Sequence, residues 1–259
     1  MANRLLSVPP HERKRLTNAL QCGLIAAPYS EAGMRAAGVS DGAADALAAL
    51  ENLERLGITG RGAAAWLEMI DEAASRVPQP DLVWSGPEVE GLHARDTRRV
   101  YEELLSSAER SIWASTYAFF DGPKAFEVIS KRMDGVETLE ATLLLNIERK
   151  HGDTSSADAL VRRFADRFWG DEWPGVRRPN VFYDPRALEL PWPAGVLHAK
   201  AVVKDDEAVF ITSANLTEAA LDRNIELGLA VRDAALAATV TMHFRGLIER
   251  GLLRPLPAG

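Results

Sequence analysis

The sequence predicts an α/β fold, a mixed β-sheet sandwiched by helices, preceded by a small all-helical N-terminal region. Three observations carry this. From residue 81 onward, short runs rich in β-branched and aromatic residues alternate with amphipathic helical stretches, the rhythm of a buried sheet covered on both faces. Before residue 80, apolar residues recur only at helical spacing. At 259 residues and 47% apolar content, the chain is long enough for one large core and a smaller appendage. The expected division is a helical region over 1–80 and an α/β domain over 81–259, joined through PQPD.

In the first region Pro9 and Pro10 precede HERKRLTNALQC, a helical pattern. Ser40 is read as the cap of DGAADALAALENLERLG, which Gly57 stops, and Thr59 as the cap of GRGAAAWLEMIDEAASRV, which ends before Pro78. Two helices joined through GITG invite a helix-turn-helix reading. The second carries Glu68, Asp71 and Glu72 against Arg61, and a phosphate-lined groove would repel it. A small bundle that packs on the main domain or docks a partner is expected instead. Cys22 follows an apolar helical pattern and is read as a buried core residue.

In the second region DLVWSG is a strand, and TRRVYEELLSSAER an amphipathic helix with Val100, Leu104, Leu105 and Ala108 on one side. SIWASTYAFF is a β-rich run, followed by a helix near 124–133, a strand over 141–147 and a helix near 156–168. NVFYD, VLHAKAVVKD and EAVFITSAN read as strands, the last two joined by an acidic turn. A helical patch LTEAALDR, a strand IELGLAVRD and a final helix over about 234–249 complete the domain. Residues 148–195 are the least regular part.

Composition bounds the function. Net charge is -7, so a uniformly basic nucleic-acid footprint is absent and any phosphate-binding surface must be local. A single cysteine cannot form an internal disulfide, so the fold needs no oxidising compartment. No apolar run reaches the ~18 residues of a membrane span, and the N-terminus lacks signal-peptide features. A cytoplasmic protein with no membrane partner is expected. No cluster with metal-ligand spacing is visible, so neither a metal nor another cofactor is expected.

The chemistry concentrates in LHAKAVVKDDEAVFITSANLT, residues 197–217. On a strand, residues two apart share a face, so His198 and Lys200 are expected to project together, as are Ser213 and Asn215. Hairpin pairing around Asp205–Glu207 would bring both pairs to one sheet end. Asp205 has the opposite parity and is read as holding the turn or acting at one remove. An imidazole can attack phosphorus, and an ammonium, a hydroxyl and an amide can hold its oxygens. Glu226, on the next strand, could accept a hydrogen bond from one ring nitrogen of His198 and free the other; Asn224 flanks it. Trp169, Trp173 and Trp192 could stack on bases, and Arg177 and Arg178 could track a phosphate backbone. Arg95 or Arg98 could line the site.

The order His198-x-Lys200-x4-Asp205-x6-Thr212-Ser213-x-Asn215, with Asn224-x-Glu226 after it, strongly resembles the phospholipase D superfamily signature. Thr212 stands where that family usually has glycine. The resemblance covers residues 81–256, one catalytic repeat; LHAR at 92–95 echoes LHAK but no S-x-N follows. It implies a metal-independent phosphodiesterase working through a covalent phosphohistidine. Because one repeat supplies one histidine, it also implies a homodimer whose two copies of His198 meet at a two-fold axis. The phrases VWSGPEV, ARDTRRVYEELL and ITSANLTEAALDRNIELG are similar to those of the DrmC components of DISARM anti-phage systems. That likeness implies a nuclease in bacterial defence, working beside other DISARM components. A lipid phosphodiesterase or phosphatidyltransferase, and a non-catalytic or partner-gated scaffold, are the alternatives.

Overall fold

The computed structural model describes residues 2–75, 77–88, 90–91, 93–191 and 195–258. Packing divides the chain between Pro78 and Gln79.

The first unit holds five helices among the described residues: α1 (Ala2–Ser7), α2 (Pro10–Gln21), α3 (Glu31–Ala36), α4 (Ala43–Arg55) and α5 (Gly60–Ser75). Pro10 opens α2, where its missing N–H costs nothing. Leu16, Leu20, Leu50, Leu53 and Leu67 meet in one buried core. Ser40 does not cap α4. Its N–H and hydroxyl donate to the Glu12 carboxylate at 3.1 and 2.9 Å, as does the N–H of Gly42 at 3.3 Å. Burial pushes the Glu12 carboxyl up, yet these donors outweigh it and hold it down to about 2. Gly42 takes the cap position; a Cβ there would lie 2.8 Å from Val8 Cγ2. Gly57 stops α4 at φ +77. Cys22 is exposed, not buried: it caps the C-terminus of α2, where the chain leaves the core-facing stripe.

In the second unit β1 (Asp81–Ser85) and β2 (Arg95–Asp96) lead into α6 (Thr97–Ser106), whose N-terminus Asp96 caps through the N–H of Arg99. Next come β3 (Ser111–Thr116), α7 (Gly122–Ala125), α8 (Glu127–Gly135), β4 (Glu140–Leu145) and α9 (Ala157–Arg167). A π-turn over Phe168–Glu172 precedes β5 (Asn180–Tyr183). The chain ends through β6 (Ala201–Lys204), β7 (Ala208–Thr212), a π-turn over Ala219–Arg223, β8 (Glu226–Val231), α10 (Ala234–Glu249) and β9 (Arg254–Pro255). The strands form one mixed sheet in the order β2-β1-β8-β7-β6-β3-β4-β5-β9. One face packs Val83, Ala114, Val202 and Phe210 against Tyr101 and Leu104 of α6 and Ile129 of α8. The other packs Trp113, Val203 and Val209 against Ala237 of α10.

Register sets the polarity of the sheet. β3 and β4 run parallel, β6 runs against β3, and β7 against β6. Ser85 pairs with Glu226, Thr212 with Gly228 and Ser115 with Ala201. The C-terminal ends of β1, β3, β4 and β7 therefore share one edge with the N-terminal ends of β6 and β8. The opposite edge carries the turn Asp205–Glu207. Asp205 and Asp206 both have positive φ, 55 and 54, a conformation that short polar side chains tolerate. The buried Asp205 carboxylate accepts from the N–H groups of Glu109, Arg110 and Ser111 at 3.0, 2.7 and 2.8 Å. Asp206 accepts from Thr241 on α10 at 2.7 Å. One turn thus ties β6, β7, the start of β3 and α10.

Burial alone would push the Asp205 carboxyl up, but the three N–H donors and Lys204 hold it below its usual 3.8. A depressed native pKa means the unfolded chain binds the proton more tightly. Its contribution to stability is complete above about pH 3.9 and fades as pH falls through the lower native value. Asp205→Ala, which strands three N–H groups, is expected to cost about 1–3 kcal/mol at neutral pH, read by urea unfolding. The gap to wild type should narrow below pH 3.8.

Candidate active site

His198 and Lys200 lie just before β6, not within it. The first N–H of β6, on Ala201, is taken by the Ser115 hydroxyl at 3.1 Å, so regular pairing starts there. The backbone is nonetheless anchored, since the Lys200 carbonyl accepts from the N–H of Thr212 at 3.1 Å. His198 is exposed and Lys200 is only 7% exposed. The two do not stand side by side as on a regular strand. Lys200 Nζ curls back to donate to the His198 carbonyl at 3.0 Å and sits 3.3 Å from both ring nitrogens. Burial pulls the Lys200 pKa down, and the Glu226 carboxylate opposes that shift.

Ser213 and Asn215 follow β7 at the same sheet edge, with the fully buried Ala214 between them. The Asn215 Oδ1 accepts from the N–H of Ala118 at 3.3 Å, which leaves its amide N–H groups for another acceptor. Ser213 donates to Glu226 Oε2 and accepts from the N–H of Leu227 at 3.1 Å. Asn224 donates to Glu226 Oε1 at 3.3 Å. The Glu226 carboxylate is therefore engaged by Ser213 and Asn224. Among the described residues no hydrogen bond joins it to His198, contrary to the expectation from strand order. It projects at the edge of β8, and the neighbouring hydroxyl and amide reach it first. The buried Tyr101 hydroxyl is pushed above its usual 10 by burial and by this carboxylate.

One neighbour of the imidazole carried no sequence signal beyond its place at the end of SIWASTYAFF. The Tyr117 ring lies 4.9 Å from that of His198, and Lys200 Nζ sits 5.7 Å from its centroid. A tyrosine just past the end of a buried strand, parallel to the next one, was the available hint.

The peripheral candidates are not brought to this edge. Arg95 pairs with Asp81 at 3.0 Å and with Glu103, at the other end of β1. Arg177 donates to the carbonyls of Met133, Val136 and Leu139, closing the entrance to β4 at the opposite edge. Arg178 donates to Ala258 and stacks 4.6 Å over Trp169, and Trp173 is a core residue. These arginines are consumed by carbonyls, carboxylates and a ring that the fold supplies locally. Trp192 lies outside the described residues. Arg98 does reach the region: it grips Asp222 at 2.6 and 2.9 Å and Glu218 at 3.0 Å, bracing the segment between Asn215 and Glu226.

The fold and this edge define a class: α/β proteins in which one H-x-K pair and a following S-x-N meet at one end of a mixed sheet. The chain belongs to the phospholipase D-like family, for residues 101–248, more than half of its length, match the family model described as cardiolipin synthase, PLD-like domain. Similar solved structures include a phospholipase D family member, Nuc from Salmonella typhimurium, with TM-score 0.44, 17% identity, and coverage of 69% of this chain and 97% of that one. NucT from Helicobacter pylori gives 0.45, 18%, 66% and 96%. Phosphatidylserine synthase from Haemophilus influenzae Rd KW20 gives 0.46 and 13%, with 74% of this chain and 46% of that one covered. No curated protein matches the sequence.

If Arg98 braces the segment after Asn215, Arg98→Ala should speed amide exchange over residues 217–224 by about tenfold while the sheet core stays protected. Hydrogen-exchange mass spectrometry reads this directly.

Proposed function

We propose that this chain is a metal-independent phosphodiesterase that cleaves nucleic acid through a covalent phosphohistidine. The observation that carries it is the gathering of His198, Lys200, Ser213, Asn215 and Glu226 at one sheet edge. In the first step a ring nitrogen of His198 attacks phosphorus, the bond to the leaving oxygen breaks, and that oxygen takes a proton from the partner's His198. In the second, water attacks phosphorus, the phosphorus–nitrogen bond breaks, and the partner subunit's His198 takes the water proton. Lys200 and the free amide of Asn215 hold the non-bridging oxygens as charge builds. Ser213 and Asn224 fix Glu226, whose charge faces Lys200.

A homodimer supplies the second imidazole. An exposed apolar row supports it: Leu82 pairs with Leu229, and Leu229 with Ile211, across three adjacent strands, each 46–47% exposed. Leu227 extends the row to Ser213. Such a patch on a sheet face marks an interface, and its continuity with the site suits a second copy. The likeness to DrmC supports a role in anti-phage defence beside other DISARM components. Phosphatidyl transfer is the second reading, favoured by the family model's description. Among the described residues no helix is long and apolar enough to cross a membrane.

Cleavage of labelled single- and double-stranded DNA and RNA in excess EDTA tests the proposal. Wild type should cut at least one, and His198→Ala should lose about 10³-fold or more; loss of cleavage on chelation would refute the metal-independent mechanism. Phosphatidylglycerol vesicles assayed in parallel separate the second reading. Since burial lowers the Lys200 pKa, the ammonium is lost as pH rises, so rate should fall on an alkaline limb below 10.5. Lys200→Arg should move that limb upward. Leu229→Asp should shift the dimer to monomer in light scattering and abolish cleavage; a monomeric wild type that cuts would sink the shared site.

A further inference from the structure

A second cavity opens at the same sheet edge. It lies outside the C-terminal ends of the parallel strands β3 and β4, where open α/β sheets hold ligands. Its volume is about 500 Å³, within the range of small-ligand sites. The loop after β3, the loop after β4 and one face of α9 enclose it. Tyr117 is shared: it lines the cavity and touches the His198 ring. The cavity therefore begins where the phosphate would sit.

Its lining is nearly charge-balanced. Arg163 faces Asp153 at 3.7 Å and Arg167 faces Glu172 at 3.4 Å, so four of its charges cancel in pairs. That is a poor receptor for a second phosphate and a suitable one for an uncharged polar ring. Phe120 lines it and is 72% exposed, which leaves its ring open to a ligand. Asn146, 7% exposed, stands behind this wall, and its Oδ1 is buried rather than open to the cavity. Lys150, at the rim, makes no ion pair among the described residues.

We infer that this cavity holds the nucleobase next to the scissile phosphate, and that the substrate is single-stranded. The inference rests on the nucleic-acid reading above and names the subsite. The base lies against Phe120 and Tyr117, since every base offers a π-face. A base paired within a duplex would have to leave its stack to lie in the cavity, so single strands are favoured.

Two measurements on the full chain test it. In a His198→Ala background, fluorescence anisotropy reads binding of a labelled single-stranded oligonucleotide and of its annealed duplex. Single strands should bind at least tenfold tighter, and Phe120→Ala should weaken that binding about tenfold. In catalytically intact protein, kcat/KM is compared for the oligonucleotide and for bis(p-nitrophenyl) phosphate, a diester with no base. Phe120→Ala should lower the ratio of the two about tenfold. A structural role would lower both rates together and leave the ratio unmoved. Equal affinity for duplex, no oligonucleotide binding, an unmoved ratio, or turnover of phosphatidylglycerol vesicles instead of oligonucleotide would each overturn the subsite. Failure to hydrolyse the base-free diester would instead count against the catalytic reading, and the anisotropy result would still judge the cavity.

Discussion

A buried carboxylate at the far edge of the sheet is the constraint on which the rest depends. Asp205 gathers three successive N–H groups from the start of β3 into one turn. That locks the register of β3 against β6, and Asp206 pins α10 to the same point. In a sheet, a one-residue slip would turn every side chain to the wrong face. Here a slip would move Lys200 and its carbonyl away from Thr212 and drag Ser115 off the N–H of Ala201. The turn contains none of the reactive groups, yet it decides where they stand.

At the other edge, polar groups are mostly engaged with each other, and the few left free indicate what is missing. Glu226 is engaged by Ser213 and Asn224, and Asn215 is oriented by the N–H of Ala118. Lys200 is sheltered by the chain, with its nitrogen 3.3 Å from both ring nitrogens of an exposed imidazole. The amide N–H groups of Asn215, the ring of His198 and the ammonium belong to this same edge. They suit an anion with several oxygens. The uncovered row of Leu82, Leu229 and Ile211 lies on the face that α10 covers elsewhere. Among the described residues the sheet is sandwiched along most of its width and bare beside this edge.

Much of this was legible in the chain because its signals are local. Short apolar and β-branched runs placed β1, β4, β5, β7 and β8, since a sheet covered on both faces buries nearly every side chain, and helical spacing placed α6. The hairpin around Asp205–Glu207 was legible, but the side-by-side projection of His198 and Lys200 was not, because regular pairing starts only at Ala201. The acidic stretch DDE reads as a turn because it joins two strand-like runs, and the structure adds that both aspartates adopt positive φ. What failed depended on distant neighbours. Ser40 serves Glu12, 28 residues away, rather than its own helix. Arg95, Arg177 and Arg178 found partners whose proximity no spacing records. Cys22 missed the core by its place at a helix end.

The sequence by itself determined the fold class, the helical and α/β regions, and the family, because periodicity and motif spacing are properties of neighbours along the chain. Only the tertiary structure decided that His198 lies off the strand, that Glu226 answers to Ser213 rather than to the imidazole, and that Tyr117 joins the site. Those outcomes turn on which donor reaches an acceptor first when strands far apart in the chain are brought to one edge. A hydrogen bond is chosen by distance and direction in space, and neither is written in the order of residues.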